Sequence, residues 1–288
     1  MEPYQHTANV DRAGWIGWIV RSDRGRLRLT GADALEFLQA LVTNDVAALQ
    51  PGESRDAAYL TPLGRMITDM RVFREHDEVL VSVPAELAAS LARRLDFLIF
   101  AEDVQVSDAS QLIHEITLIG ATMSRTKDVF VTAEGLAAVC AELIADGLPE
   151  LDAVDVEAMR IEAGHARWGV DMNEDTIPLE AGLLERAISQ TKGCYVGQEV
   201  IVRILHRGAG RVARRLMTIA FGPDQADPPA AGMPITIGCV EVGKITSAAY
   251  SRRLSRAVAL GYVQRQDAND GTAVTVAHCA AVIGPPAN

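Results

Sequence analysis

The sequence predicts an α+β protein that ends in a small β-barrel or sandwich. Three observations carry that prediction: helical spacing of apolar residues near residues 31–42 and again after Pro84, a series of strand-like runs between turns over 55–83, and a change after about residue 211 to short β-rich runs punctuated by Gly and Pro. Thr30 followed by Asp33 resembles a capping box, and Ala34, Leu35, Leu38, Leu41 and Val42 follow at helical spacing, so a helix is expected over 31–42. Asn44, Asp45 and Pro51-Gly52 end it. Runs at 55–61, 65–74 and 79–83, separated by Pro62-Leu63-Gly64 and His76-Asp77-Glu78, read as an antiparallel meander. Pro84 suits a first helical turn, with Leu87, Leu91, Leu95 and Leu98 as the buried stripe of a helix reaching about residue 100, and a strand is expected near 104–107. Strands near 113–119 and 129–132 come next. Helices over 133–146 and 154–163 follow, stopped by Gly147 and Gly164. Residues 165–210 combine Gly and Pro with unusual polar residues and read as long functional loops. Beyond them, runs at 216–221, 234–238, 242–248, 257–263 and 273–277 build the barrel, with 222–232 as a loop inside it.

At 288 residues and 30.9 kDa the chain is long enough for a sizeable core, which excludes a disulfide-stapled miniature scaffold. Hydrophobic residues at 49% and charged residues at 23% exclude a disordered chain. Lys and Arg total 27 against 38 Asp and Glu, a net charge of -11, which excludes a surface that clamps nucleic acid throughout and leaves room for a local basic site. The apolar runs at 95–101 and 136–145 are broken by Asp96 and Glu142 and fall short of the roughly 20 residues of a bilayer span, so no membrane partner is expected. Residues 1–20 carry Glu2, Asp11 and two tryptophans where a secretory leader has a basic start and an apolar core. Cys140, Cys194, Cys239 and Cys279 are far apart and form no C-x-x-C pair, and the six histidines are scattered, so neither a metal site nor a disulfide framework is expected. The expectation is a cytoplasmic, reduced protein. A nucleotide cofactor is not expected either, because no G-x-G-x-x-G or Walker pattern occurs.

The most specific stretch is Lys192-Gly193-Cys194-Tyr195-Val196-Gly197-Gln198-Glu199. Its glycines allow positive φ or close approach of a ligand, and the Lys192 ammonium favours a thiolate at Cys194. The competing reading is a buried structural cysteine, which suits Cys140 on an apolar helix face and Cys239 and Cys279 in barrel strands better than it suits Cys194. Asp69 alternates onto the face of Ile67 and Phe73, so that face borders a cavity or Asp69 pairs with Arg65 or Arg71. Glu162 ends a helix, where acids usually meet solvent, and Trp168 either stacks on a flat ring or plugs its loop against the core. From 200 to 223 there is no acidic residue, while Arg203, Arg207, Arg211, Arg214, Arg215 and His206 gather. Such a cluster binds a polyglutamate tail, a phosphate or an RNA backbone, or is a solvated strand face.

The Lys192–Glu199 stretch resembles the signature of the YgfZ-type folate-binding proteins, relatives of the T-protein (aminomethyltransferase) of the glycine cleavage system. The likeness extends over nearly the whole chain. It runs through Leu29-Thr30-Gly31-Ala32-Asp33-Ala34 with Thr43-Asn44-Asp45-Val46, Gly64-Arg65-Met66-Ile67-Thr68-Asp69, Arg160-Ile161-Glu162-Ala163-Gly164, Trp168-Gly169, and Pro178-Leu179-Glu180-Ala181-Gly182-Leu183. In the last third it includes Val242-Gly243-Lys244-Ile245-Thr246-Ser247 and Ala259-Leu260-Gly261-Tyr262-Val263. The resemblance implies a three-domain ring around a central folate cavity. Its parts would be a discontinuous folate-binding α+β domain (1–51 and 111–210), an inserted α+β domain (52–110) and a β-barrel (211–288).

It further implies tetrahydrofolate as cofactor, Glu162 on the pterin edge, and Trp168, Lys192, Tyr195, Arg203 and Arg207 about the ligand. Asp69 matches the second of two adjacent acids where the T-protein keeps its catalytic aspartate, and this sequence has Thr68 at the first. The implied function is support of iron-sulfur cluster assembly or repair in client enzymes, tRNA-modifying ones included, with Cys194 as the essential thiol and assembly factors as partners. Aminomethyl transfer from a carrier protein to tetrahydrofolate is the alternative. Thr68, the short chain and the lack of a placeable equivalent of the family's folate-site arginine in the loop before Lys192 count against it.

Overall fold

The computed structural model describes residues 14–287 apart from Ala209 and Asp224. Residues 1–13, on which part of the leader reading rests, lie outside them. Contacts divide the chain into two compact units. One holds residues up to Ala57 and Thr68–Asp152, and the other holds Ala58–Ile67 and the chain from Ala153 onward.

The first unit begins with two strands that the sequence reading did not place, β1 (Trp15–Val20) and β2 (Arg24–Thr30). In β2, Leu27 and Leu29 are fully buried on one face, and of the arginines on the other Arg28 is partly exposed while Arg26 is buried and donates to Ile113 O at 2.8 Å. Helix α1 (Ala34–Leu41) follows without a capping box, because Thr30 is still in β2, paired with Gln105, and the Asp33 carboxylate accepts the Asp103 backbone N–H at 2.8 Å instead. Strands β3 (Ser54–Leu60), β4 (Met66–Arg74) and β5 (Val79–Pro84) form the expected meander. A 3-10 turn at Ala85–Leu87 then leads into α2 (Ala88–Asp96).

This helix stops short of the expected residue 100. The Glu102 carboxylate accepts the backbone N–H groups of Phe100 and Ala101 and stabilises a turn there, which leaves Phe97, Leu98 and Phe100 exposed. Strands β6 (Gln105–Asp108), β7 (Ile113–Gly120) and β8 (Thr126–Thr132) and helix α3 (Leu136–Ala145) complete the unit. A five-stranded sheet runs β3-β4-β5-β2-β6 and a three-stranded antiparallel sheet runs β1-β7-β8. Phe73 and Phe130 meet edge to face at 4.7 Å between the two sheets, and α3 covers Trp18, whose indole N–H donates to Leu148 O at 3.0 Å.

The second unit contains α4 (Ala153–Glu162), α5 (Leu184–Ala187), α6 (Gln198–His206) and a closed barrel. The barrel strands are β9 (Arg214–Phe221), β10 (Pro234–Ile237), β11 (Val240–Ser251), β12 (Arg256–Gln264), β13 (Ala273–Val276) and β14 (Cys279–Pro286). Their order around the wall is β10-β11-β12-β9-β14-β13. Alternation gives the wall two apolar faces. Met217, Ile219 and Phe221 fill the interior, while Leu216, Leu260 and Tyr262 join Ala158 and Ile161 of α4 in a second core outside it. Ala58, Leu60 and Met66, from the tip of the β3–β4 hairpin, belong to this outer core. No described helix is long and apolar enough to cross a membrane.

Candidate functional site

Cys194 lies in the irregular segment between α5 and α6, and its side chain is exposed. The segment ends at Gly197, the N-cap of α6, with φ of +82°. A Cβ there would stand 2.5 Å from Thr61 O and 3.3 Å from Gly64 Cα, so only glycine lets the backbone lie on the Pro62-Leu63-Gly64 turn. Gly64, at φ of +71°, packs in turn against Val200, where a Cβ would come within 2.7 Å. Gly193 has open space around it and a backbone that any residue adopts, so only one of the two glycines bracketing the thiol has a steric reason to be glycine.

Tyr195 is buried in the outer core, and burial pushes its phenol up to about 12. The Lys192 ammonium stands 5.4 Å over its ring, a cation–π contact that places lysine and tyrosine together one residue either side of the Gly193-Cys194 pair. Trp168 is half-buried against the same core, and its loop is closed by a bridge to Met172. The structure therefore brings Trp168 and Tyr195 onto one apolar cluster.

The basic cluster is split between a helix and a strand, with Arg214 and Arg215 opening β9. Arg203 and His206 occupy the last turn of α6 and Arg207 is its C-cap, where cations favour the helix dipole. Arg203 and Arg207 are exposed, and neither side chain makes a hydrogen bond or ion pair among the described residues. Arg214 differs: it pairs with Glu180 at 3.1 Å and lies 4.3 Å over the Tyr262 ring, a structural role.

Glu162, at the end of α4, does not face solvent alone. Ser251 donates to one carboxylate oxygen, and Arg253, just past β11, clasps the other through Nε (2.9 Å) and Nη2. Two residues earlier on α4, Arg160 meets a hub the sequence reading missed. Asp171 has a fully buried side chain and accepts from Arg160 Nη1 (2.8 Å), the Arg167 backbone N–H (3.0 Å), Ser247 Oγ (2.8 Å) and Thr246 Oγ1. Its backbone oxygen takes the Tyr262 hydroxyl at 3.0 Å. Burial disfavours the Arg160 charge, yet the Glu157 hydrogen bond and the Asp171 carboxylate hold its pKa above the ordinary arginine value. The loop after α4 is thereby tied to β11 and β12.

In the first unit, Asp69 on β4 pairs with neither Arg65 nor Arg71. Its partner is Arg24 of β2, with Nη1 at 2.9 Å from Oδ2, while Oδ1 is buried without a hydrogen bond among the described residues. Arg24 also donates to Ser82 Oγ (3.2 Å) and Ser82 O (2.8 Å), and Ser82 Oγ donates to Glu115 at 2.6 Å. Glu115 is 2% exposed; burial, and then the nearby Asp128 carboxylate, raise its pKa. Asp128 itself accepts from Thr117 (2.6 Å) and pairs with Arg71 (2.7 Å). Thr68 is fully buried and donates to the Asp69 backbone oxygen at 2.8 Å.

The other cysteines depart from expectation in one case. Cys239 is exposed, because it lies in the Gly238-Cys239 turn between β10 and β11 rather than in a strand. Cys279 opens β14 and is half-buried, and Cys140 is half-buried on α3, where burial pushes its thiol up.

A T-protein-like α+β fold with a six-stranded carboxy-terminal barrel is what these elements define. Known families agree. Residues 16–126 match the GCVT N-terminal domain, and residues 214–283 match the glycine cleavage T-protein C-terminal barrel domain. Together these cover more than half of the sequence, and the chain belongs to the glycine cleavage T-protein superfamily. The crystal structure of glycine cleavage system aminomethyltransferase T from Bartonella henselae has the same fold, with a TM-score of 0.82 at 19% identity over 94% of this chain and 86% of that one. An aminomethyltransferase of Thermosynechococcus vestitus is 27% identical over 299 residues, 91% of this chain and 80% of the relative. A mitochondrial iron-sulfur cluster assembly factor IBA57 homolog of Mycosarcoma maydis is 26% identical over 234 residues, 72% of this chain and 58% of the relative.

Proposed function

We propose that this chain is a cytoplasmic tetrahydrofolate-binding protein that supports assembly or repair of iron-sulfur clusters in client enzymes, tRNA-modifying ones included, through Cys194. The observation that carries the reading is the exposed thiol on a segment seated by Gly197 on the Gly64 turn, since a thiolate that acts as nucleophile or metal ligand has to be accessible. The Mycosarcoma maydis relative, named as an iron-sulfur cluster assembly factor, supports it.

The donor set fits a folate in kind. Glu162 supplies a carboxylate for the pterin edge with one lone pair left on Oε1 beyond its Ser251 bond, while Arg253 takes up Oε2; Trp168 and Tyr195 supply flat apolar surface, and Arg203 and Arg207 are cations unpaired among the described residues for a glutamate tail. Lys192, held over Tyr195, adds a third cation. When bound, tetrahydrofolate supplies a reduced ring that carries one-carbon units.

A second reading, aminomethyl transfer, draws on Asp69. Its Oδ1 is buried and free of hydrogen bonds while Arg24 fixes Oδ2, the arrangement of an oriented carboxylate able to take or stabilise a proton. One experiment separates the two. Glycine cleavage is assayed with the purified chain and a carrier protein, beside iron-sulfur enzyme activity in a deletion strain complemented by the parent, Cys194→Ser or Asp69→Asn. The proposal expects no glycine cleavage, loss of client activity with Cys194→Ser and its retention with Asp69→Asn. Wild-type client activity with Cys194→Ser rejects the role given to the thiol, and turnover in the cleavage assay that Asp69→Asn abolishes rejects the proposal in favour of the second reading.

A further inference from the structure

We propose that the mouth of the barrel binds a small organic oxyanion, a phosphate monoester or a free carboxylate, between Arg215 and Arg265. The register of the wall places both arginines. Met217, Ile219 and Phe221 point into the barrel, so Arg215, two residues before Met217 on β9, continues that inward row beyond the last apolar layer. Ala257, Ala259 and Val263 are the inward row of β12, and Arg265 stands in the turn just past the strand's last residue, Gln264.

Arg215 pairs with Val263, and the Arg265 backbone N–H donates to Ala213 O at 3.1 Å, which keeps the two strands together to that point. The two arginines thus stand at the same end of the β9–β12 pair, one in the strand and one in the turn beside it. With Gln264, Gln266 and Asn269 they line an open cavity of about 680 Å³ that has no acidic side chain in its lining. Asp267, in the turn that follows, is not part of it.

Neither arginine makes a side-chain hydrogen bond or ion pair among the described residues, although the adjacent Arg214 has Glu180. The chain carries 38 acidic against 27 basic residues, so carboxylate partners were not scarce. Like charges placed side by side repel, and an anion between them removes that penalty. Guanidinium forks match the paired oxygens of phosphates and carboxylates. The volume falls within the range of small-molecule sites, including those in barrel mouths, and the three amides offer donors and acceptors to an organic body beyond the anion. Of the arginine cluster only Arg215 takes part, and Glu162, Trp168, Lys192, Cys194, Tyr195, Arg203 and Arg207 do not, so a folate site built on those residues is tested separately.

The test is calorimetric titration of the full chain with inorganic phosphate, adenosine monophosphate and tri-γ-glutamate, at low and high salt, repeated on Arg215→Gln and Arg265→Gln. The expected result is saturable binding of one organic probe, tighter than inorganic phosphate and weaker at high salt. Each substitution should reduce affinity about tenfold, the loss of one charge-assisted hydrogen bond. Preference for adenosine monophosphate identifies a phosphate ligand, and preference for tri-γ-glutamate a carboxylate one. If a glutamine variant does not fold, Arg265→Lys keeps the charge, removes the fork and should still lose affinity. No saturable binding of any probe tighter than about 1 mM, equal binding of phosphate and both organic probes, or binding unchanged in the variants would overturn the proposal.

Discussion

Replacing Asp171 by asparagine removes a charge without changing volume, and the hub geometry sets what that costs. The asparagine oxygen takes the place of Oδ2, where Arg160 Nη1 and the Arg167 N–H both donate, and its amide nitrogen faces the Ser247 and Thr246 hydroxyls, which rotate to accept. The Arg167, Ser247 and Thr246 bonds become neutral and the Arg160 bond keeps only its donor's charge, together a loss of about 2–3 kcal/mol, and Arg160 keeps Glu157 as its remaining carboxylate. The expected destabilisation is about 2–3 kcal/mol. Asp171→Ala leaves the buried side of Arg160 without a carboxylate oxygen, and its cost should rise to about 3–5 kcal/mol. At about 2–4 °C per kcal/mol, the asparagine variant should melt roughly 4–12 °C below the parent. Urea unfolding of both variants checks the order. An Asp171→Asn change within about 0.5 kcal/mol of the parent, the usual range for an unimportant exposed site, would show that the hub does not hold the loop to the barrel.

The two glycines beside the thiol should behave differently. Gly197→Ala forces a side chain into positive φ against Thr61 O and should cost about 2–4 kcal/mol, whereas Gly193→Ala should stay within about 0.5 kcal/mol; equal effects in denaturant melts would refute the seating argument. Because the folded state raises the Glu115 pKa, the stability this group contributes is complete below its unfolded pKa of about 4.3 and is lost as pH climbs through the folded value. Glu115→Gln should therefore flatten the pH dependence of unfolding free energy above that point, and an unchanged slope would count against a buried proton there. In alkylation read by peptide mass spectrometry, Cys194 and Cys239 should react ahead of Cys140 and Cys279. Cys140 reacting first would contradict its burial-raised thiol.

Elements with a clear period were legible before any coordinates. The meander over 55–83, helices α1 and α4 and five of the six barrel strands announce themselves through alternation, helical spacing and Gly or Pro breaks. Strand β2 had a readable signal, Leu27 and Leu29 between Arg26 and Arg28, that went unused. Helix α6 was hidden by its composition, since Val200, Ile201, Val202 and Ile204 are β-branched and favour strand, while the helix is set by Gly197 at its N-cap and by burial of Ile201. Strand β14 begins right after a turn in which Ala277 and His278 adopt positive φ, a conformation their identity does not suggest.

The candidate site was legible as residue types, and its pairings were not. Arg24 lies 45 positions from Asp69, Arg253 lies 91 from Glu162, and Ser247 lies 76 from Asp171. Nothing local in the sequence selects these partners from the other arginines and serines, because β-sheet register and barrel closure bring them together. Cys239 shows the same limit at shorter range: one residue separates an inward strand position from an exposed turn.

The hairpin tip at 58–67 has a consequence for how the chain is made and cut. Its Ala58, Leu60 and Met66 belong to a core whose other members all lie beyond residue 152. During synthesis at about 5–20 residues per second, these apolar side chains wait roughly 4–17 s for the 85 intervening residues to emerge before the first of their partners exists. A fragment beginning at Ala153 would carry the whole barrel and α4 but present an unfilled apolar seat in the outer core. Such a fragment should be isolated as an aggregation-prone species unless a peptide spanning 58–67 is supplied in trans.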